Sequence, residues 1–138
     1  MIDTNVISEA RKGTKANAGV IAFFRRCIER NERVYLSAIT IGELRRGVVL
    51  IRHRGDDAQA DLLEAWLNEV VRNYRDCILS FDHDTAQAWG RLRVPHHEHP
   101  LDKQIAATAL MHDLTLVTRN TGDFAQIGVR LLNPFADG

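Results

Sequence analysis

Apolar residues along this chain follow two rhythms. Short runs at residues 34–36, 77–79, 114–117 and 129–131 are bounded by polar positions and predict β-strands. Met1-Ile2 predicts the end of a further strand, only two residues long. Between these runs lie longer stretches with apolar residues at helical spacing. Residues 17–30 carry Val20, Ile21, Phe23, Phe24 and Ile28, and residues 41–51 carry Leu44, Val48 and Ile51. Residues 58–74 carry Leu62, Leu63, Trp66, Leu67, Val70 and Val71, and helices are also predicted over 85–92 and 104–111. A short turn is expected after Thr121. Residues 54–57 and 94–100, the latter bounded by Pro95 and Pro100, read as loops. Strands alternating with amphipathic helices imply an α/β fold, a three-layer sandwich with a mainly parallel central sheet. With no internal repeat, low-complexity segment or linker, residues 1–138 are expected to form a single domain.

Composition narrows this reading little. A length of 138 residues and 45% hydrophobic content suit a globular domain. No apolar run approaches the roughly 20 residues that a membrane span needs, and the opening lacks the basic-then-apolar order of a signal peptide, so a cytoplasmic location is expected. Cys27 and Cys77 lie far apart and form no metal-binding or disulfide pattern. The formal net charge is zero, which argues against a generic nucleic-acid binder. Of the 18 basic residues, however, only Lys12, Lys15 and Lys103 are lysines. The rest are arginines, suited both to phosphate contacts and to surface ion pairs.

Four carboxylates share one kind of position. Asp3 follows the first strand, Glu43 falls in the expected first turn of the next helix, Asp102 opens the 104–111 helix, and Asp123 sits in the turn after 114–117. In open parallel sheets such turns converge outside the carboxyl ends of the strands, where ligands bind. Four carboxylates gathered there repel unless a divalent cation neutralises them, and oxygen-only ligation favours magnesium or manganese over zinc. Each also has a local explanation. Thr40 and Glu43 match a capping box, Asp102 suits the positive end of a helix dipole, Asp123 fits a capped turn, and Asp3 could cap the segment after it.

The motifs around these residues carry a family resemblance. The run Ile2-Asp3-Thr4-Asn5-Val6-Ile7-Ser8-Glu9 resembles the N-terminal motif of PIN-domain proteins. Residues 37–47, centred on Glu43, resemble the second motif; residues 102–109, opening on Asp102, the third; and residues 117–124, ending in Asp123-Phe124, the fourth. In order and spanning residues 2–124, they are most similar to the toxins of VapBC-type bacterial toxin–antitoxin pairs. The resemblance implies a metal-dependent endoribonuclease in which Asp3, Glu43, Asp102 and Asp123 surround Mg2+, with Mn2+ substituting. Asn5, Thr118 and Asn120 are similar to residues that orient those carboxylates. RNA would be hydrolysed by a metal-activated water, with Asp3 and Asp102 as the main ligands. The resemblance also implies a homodimer and a VapB-like antitoxin occupying the active-site groove, where an antitoxin arginine can enter the acidic site.

Other features compete less well. Phe81-Asp82-His83-Asp84-Thr85 resembles the opening motif of haloacid-dehalogenase-type phosphatases, but falls past the midpoint of the chain; a plain helix start near Asp84, at the rim of the acidic site, explains it better. His96, His97 and His99 are spaced for zinc or nickel but lack a fourth ligand, so a polar loop near the site entrance is the simpler reading. Trp66, Trp89, Tyr35 and Phe23 read as core or interface. Arg45 and Arg46 are candidates for the RNA backbone, or for an exposed helix face. The competing function classes are a catalytically inactive PIN scaffold and a magnesium-binding, receiver-like phospho-acceptor module. The receiver-like reading needs a lysine facing the acceptor carboxylate, and Lys103 sits poorly for that, beside Asp102 in a helix start.

Overall fold

The computed structural model describes residues 1–137. Its strands are very short. They are β1 (Leu36–Ser37), β2 (Ile78–Leu79), β3 (Leu116–Val117) and β4 (Leu131–Leu132), paired in parallel as β1 with β2 and β3 with β4. Ile2 joins the two pairs. It bridges Val117 in parallel and donates its N–H to the Tyr35 carbonyl at 2.9 Å, giving the order β2, β1, Ile2, β3, β4. The predicted last strand begins two residues later and ends one residue later, at Leu131–Leu132, where the ladder is set by Leu116 N–H donating to Arg130 O and Thr118 N–H to Leu132 O.

Alternation along these segments divides the core. On one face Ile2, Leu36 and Val117 pack with Val6, Ile7, Val20, Phe23 and Val70. On the other, Met1 and Leu116 pack with Ile105, Ala106, Ala109, Phe124 and Val129. The helices behind these clusters are α1 (Thr4–Ala10), α2 (Ala18–Glu29), α3 (Ala38–His53) and α4 (Asp57–Asn73), then α5 (His83–Leu92), α6 (Pro100–Met111) and α7 (Thr121–Phe124). The first face takes α1, α2 and α4, and the second takes α6 and α7. This is the three-layer arrangement expected from the sequence.

Helix α1 is the one α-helix among the described residues that the periodicity missed. Thr4-Asn5-Val6-Ile7-Ser8 is poor in intrinsic helix formers, and the helix forms where Val6 and Ile7 are buried and the Asp3 side chain caps Thr4 N–H. Helix α6 lies close on the sheet because Ala106, Ala107 and Ala109 are fully buried and small. Helices α3 and α4 form a hairpin in which Arg52 pairs with Asp61 at 2.9 Å and with Glu64 at 3.2 Å. Arg45 is 2.8 Å from Glu64, so of the two candidate RNA contacts this one is engaged within the hairpin, while Arg46 is exposed. No helix among the described residues is long and apolar enough to cross a membrane.

Candidate active site

The order of the sheet brings distant motifs to one edge. Asp3 leaves the central segment directly after Ile2, and Thr118 leaves the adjacent β3. Asp3 is almost fully buried, and both of its oxygens are held. Oδ1 accepts the Thr4 N–H at 2.8 Å, and Oδ2 accepts the Thr118 hydroxyl at 2.8 Å and the Asn5 amide at 3.4 Å. Asn5 also donates to Thr118 Oγ1 at 3.2 Å and accepts the Arg119 N–H at 3.1 Å. Asn5 and Thr118 thus both hydrogen-bond the Asp3 carboxylate and each other. Asn120 contributes only its backbone N–H, to Thr118 Oγ1 at 3.1 Å, and its exposed side chain makes no capping bond.

Glu43 departs from the sequence reading. Helix α3 begins at Ala38 with Ser37 as its cap, whose hydroxyl accepts the Ile39 N–H at 3.0 Å. Glu43 thus lies in the second turn rather than the first, and the capping box with Thr40 does not form. Its carboxylate is free of that duty and instead accepts the Thr4 hydroxyl at 2.8 Å. Thr4, which also contacts Thr40 Oγ1 at 3.4 Å, is a site residue that sequence reasoning passed over. Its signal was its place inside the first motif, next to Asp3.

Asp102 occupies the third position of α6, behind Pro100, and Asp123 lies in the first turn of α7, on the surface. The carboxylates sense one another. Burial raises the pKa of Asp102 to about 6, and the charges of Asp3, Asp123 and Glu43 add to the shift, partly opposed by His99. The favourable helix dipole is therefore outweighed by desolvation and repulsion. Burial also raises the pKa of Asp3, with a contribution from the charge of Asp123, against the lowering effect of its three hydrogen bonds. Glu43 is raised by burial and by Asp3, against its bond from Thr4.

Among the described residues, no three His, Cys, Asp or Glu side chains converge tightly enough to enclose a metal ion. The donor chemistry nevertheless fits a hard divalent cation. The groups are all carboxylate oxygens, and burial, with a smaller contribution from neighbouring negative charge, raises the proton affinity of three of them. The nearby histidines form no metal cluster. His96 Nδ1 is 3.9 Å from Glu98 Oε1, and His99 Nδ1 is 4.0 Å from Asp102 Oδ2. Asp82 caps α5, accepting both the N–H and the hydroxyl of Thr85 at 2.9 Å, so the phosphatase-like motif is a helix start one residue earlier than expected. Trp66 packs against the core, whereas Trp89 donates to Pro100 O at 3.1 Å and sits under the Arg93 guanidinium.

Two clefts adjoin the carboxylates. One, of about 260 Å³, runs from Thr4 and Glu43 over Leu44, Val48, Leu63 and Trp66. The other, of about 400 Å³, separates Asp123 and Gln126 from the 94–99 segment and Lys103.

A three-layer fold with a short parallel sheet and four carboxylates at one sheet edge defines a class, and comparison with known proteins shows the same one. Residues 1–129 match the PIN domain family model, and the chain belongs to that family. It is 36% identical to Toxin FitB of Neisseria gonorrhoeae, over 99% of both chains. It is 31% identical to VapC ribonuclease Y4jK of Sinorhizobium fredii, over 98% of this chain and 96% of the relative. Among solved structures, FitAcB from Neisseria gonorrhoeae superposes with a TM-score of 0.81 at 36% identity, covering 97% of this chain and 96% of that one.

Proposed function

We propose that this chain is a magnesium- or manganese-dependent endoribonuclease that serves as the toxin of a toxin–antitoxin pair. The observation that carries the reading is the buried Asp3, held by Thr4, Asn5 and Thr118 in electrostatic contact with Asp102 and Asp123, and coupled to Glu43. Kinship with a VapC ribonuclease and with a FitB toxin supports the substrate class and the biological role.

Asp3 and Asp102 would hold the cation, with Glu43 and Asp123 completing the shell or acting through water. A divalent ion bound there supplies charge to the scissile phosphate and to the attacking water. The chain's own contribution is preorganisation. Thr118 and Asn5 fix one Asp3 oxygen, Thr4 fixes Glu43, and α6 presents Asp102, so the anionic groups are in place before RNA arrives. A receiver-like module is not favoured, because Lys103 donates to the His96 carbonyl instead of facing an acceptor aspartate.

The cleft from Glu43 to Trp66 has apolar walls and ends on a carboxylate. It suits an antitoxin segment with apolar side chains and a terminal basic group, the VapB-like partner that the family resemblance implies. Ile28 and Val49 remain exposed on α2 and α3, the surplus apolar surface expected of a homodimer.

The test is cleavage of total cellular RNA by purified, partner-free protein. Discrete cuts should appear with magnesium or manganese and vanish with chelator and in Asp102→Asn. A folded wild-type protein that leaves RNA intact under both ions would instead be an inactive scaffold.

A further inference from the structure

The cleft between the 94–99 segment and Asp123 adjoins the carboxylates, sharing Asp123 with them, while its other walls carry no residue assigned to the cation. We infer that it is the subsite for a guanine next to the scissile phosphate, read by Glu98 and braced by Lys103, an inference that rests on the nuclease reading above.

Lys103 is only 7% exposed. A buried ammonium is costly unless it is well partnered, and here it is tied to the strap that walls the cleft. Its Nζ donates to the His96 carbonyl and lies 3.9 Å from Glu98 Oε2. The strap returns through His99 in the left-handed region, at φ 54°, and the His99 carbonyl accepts the Lys103 N–H at 3.0 Å. Lys103 therefore acts as a positioning residue, closing residues 96–99 into a ring against α6. Trp89 clasps the next residue through Pro100 O.

The cleft, about 400 Å³ and open on one side, is in the range that takes a single small ligand such as one nucleoside. Val94, Pro95 and Ile127 offer apolar surface to a base plane, and Glu98 and Gln126 offer hydrogen-bonding groups. Glu98 is acceptor-only and unpaired with any arginine among the described residues; Lys103 Nζ lies 3.9 Å from its Oε2 and His96 Nδ1 3.9 Å from its Oε1, both beyond hydrogen-bond distance. Of the four RNA bases, guanine alone presents two adjacent donors, N1–H and the 2-amino group, to match two carboxylate oxygens. Adenine and cytosine place a donor beside an acceptor, and uracil places one donor between two acceptors. Unstacked single-stranded bases are read on this edge.

The experiment is cleavage of a random-sequence RNA pool by the full chain with manganese, followed by sequencing of the new ends. Guanine should be enriched on the order of ten-fold, the discrimination a bidentate base contact gives, at one fixed position within two nucleotides of the cut. Glu98→Gln should remove that enrichment. Lys103→Met should weaken it, and Lys103→Arg, which keeps a donor, should largely restore it, a pattern that mere loss of folding would not produce. Ends from the wild type without guanine enrichment, or enrichment that survives in Glu98→Gln, would overturn the inference while leaving the nuclease standing. A wild type that cuts nothing removes the nuclease reading itself, and this subsite with it.

Discussion

Thr118 shows how much depends on one hydroxyl. It is fully buried, donates to Asp3 Oδ2, and accepts from Asn5 and from the backbone of Asn120. Thr118→Val keeps the shape and removes all three bonds. It should destabilise the protein by about 1–3 kcal/mol, the cost of leaving buried partners unsatisfied. Cleavage should fall about 10–100-fold, as when the group orienting a metal ligand is lost; chemical denaturation and initial rates measure the two effects. Asp102 makes a different prediction. Its folded pKa of about 6 lies above the ordinary 3.8, so its favourable contribution is complete below pH 3.8 and is lost as pH rises through 6. The groups facing it are Asp3, Glu43, Asp123 and His99. In cation-free buffer, Asp102→Asn should therefore melt a few degrees above wild type at pH 7, with the difference vanishing at pH 4. A variant melting no higher at neutral pH would mean that the carboxylates do not strain one another. The same substitution should abolish cleavage, so stability and activity move in opposite directions.

At the scale of elements, helix α6 matters most because it carries Asp102 while packing by small residues. Ala106 and Ala109 lie flush against Leu116 and Phe124, with no exposed surface. Enlarging one pushes the helix off the sheet and moves Asp102 with it. Ala109→Leu should cost about 1–3 kcal/mol by overpacking, read as a lower denaturation midpoint, and should lower cleavage although the residue touches no carboxylate. The strong pattern in α2, α4 and α5 made those helices legible in the sequence, since amphipathic spacing is a local property. The limits of such reading appear in α1 and at the start of α3. Thr4-Asn5-Val6-Ile7 has low helix propensity, and burial of its apolar residues overrides that preference. At α3 the hydroxyl of Ser37, rather than that of Thr40, ends up as the cap, because β1 delivers the chain to that point. Two hydroxyl residues three apart look alike as caps until the strand end is known.

For the molecule as a whole, cation binding and folding should be coupled. The apo fold holds four carboxylates against their repulsion, so magnesium or manganese should raise the melting temperature. A cation at 100 times its Kd would add about 2.7 kcal/mol. The gain should shrink as pH falls through about 6, where protons compete at Asp102, and should be absent in Asp102→Asn. A melting temperature indifferent to both ions at pH 7.5 would count against a cation in this site.

The sequence by itself determined the alternation of strands and helices, the α/β class, and the four motifs that hold Asp3, Glu43, Asp102 and Asp123. Each of these is written within a dozen consecutive residues, through periodicity, caps and residue type. The tertiary structure alone decided which groups meet. Asp3 and Thr118 are 115 residues apart, and they bond because Ile2 inserts between β1 and β3. The same placement pairs Thr4 with Glu43, so that Glu43, a possible helix cap in the sequence, accepts the Thr4 hydroxyl instead. Strand order depends on the packing of both sheet faces at once, and no local pattern records it.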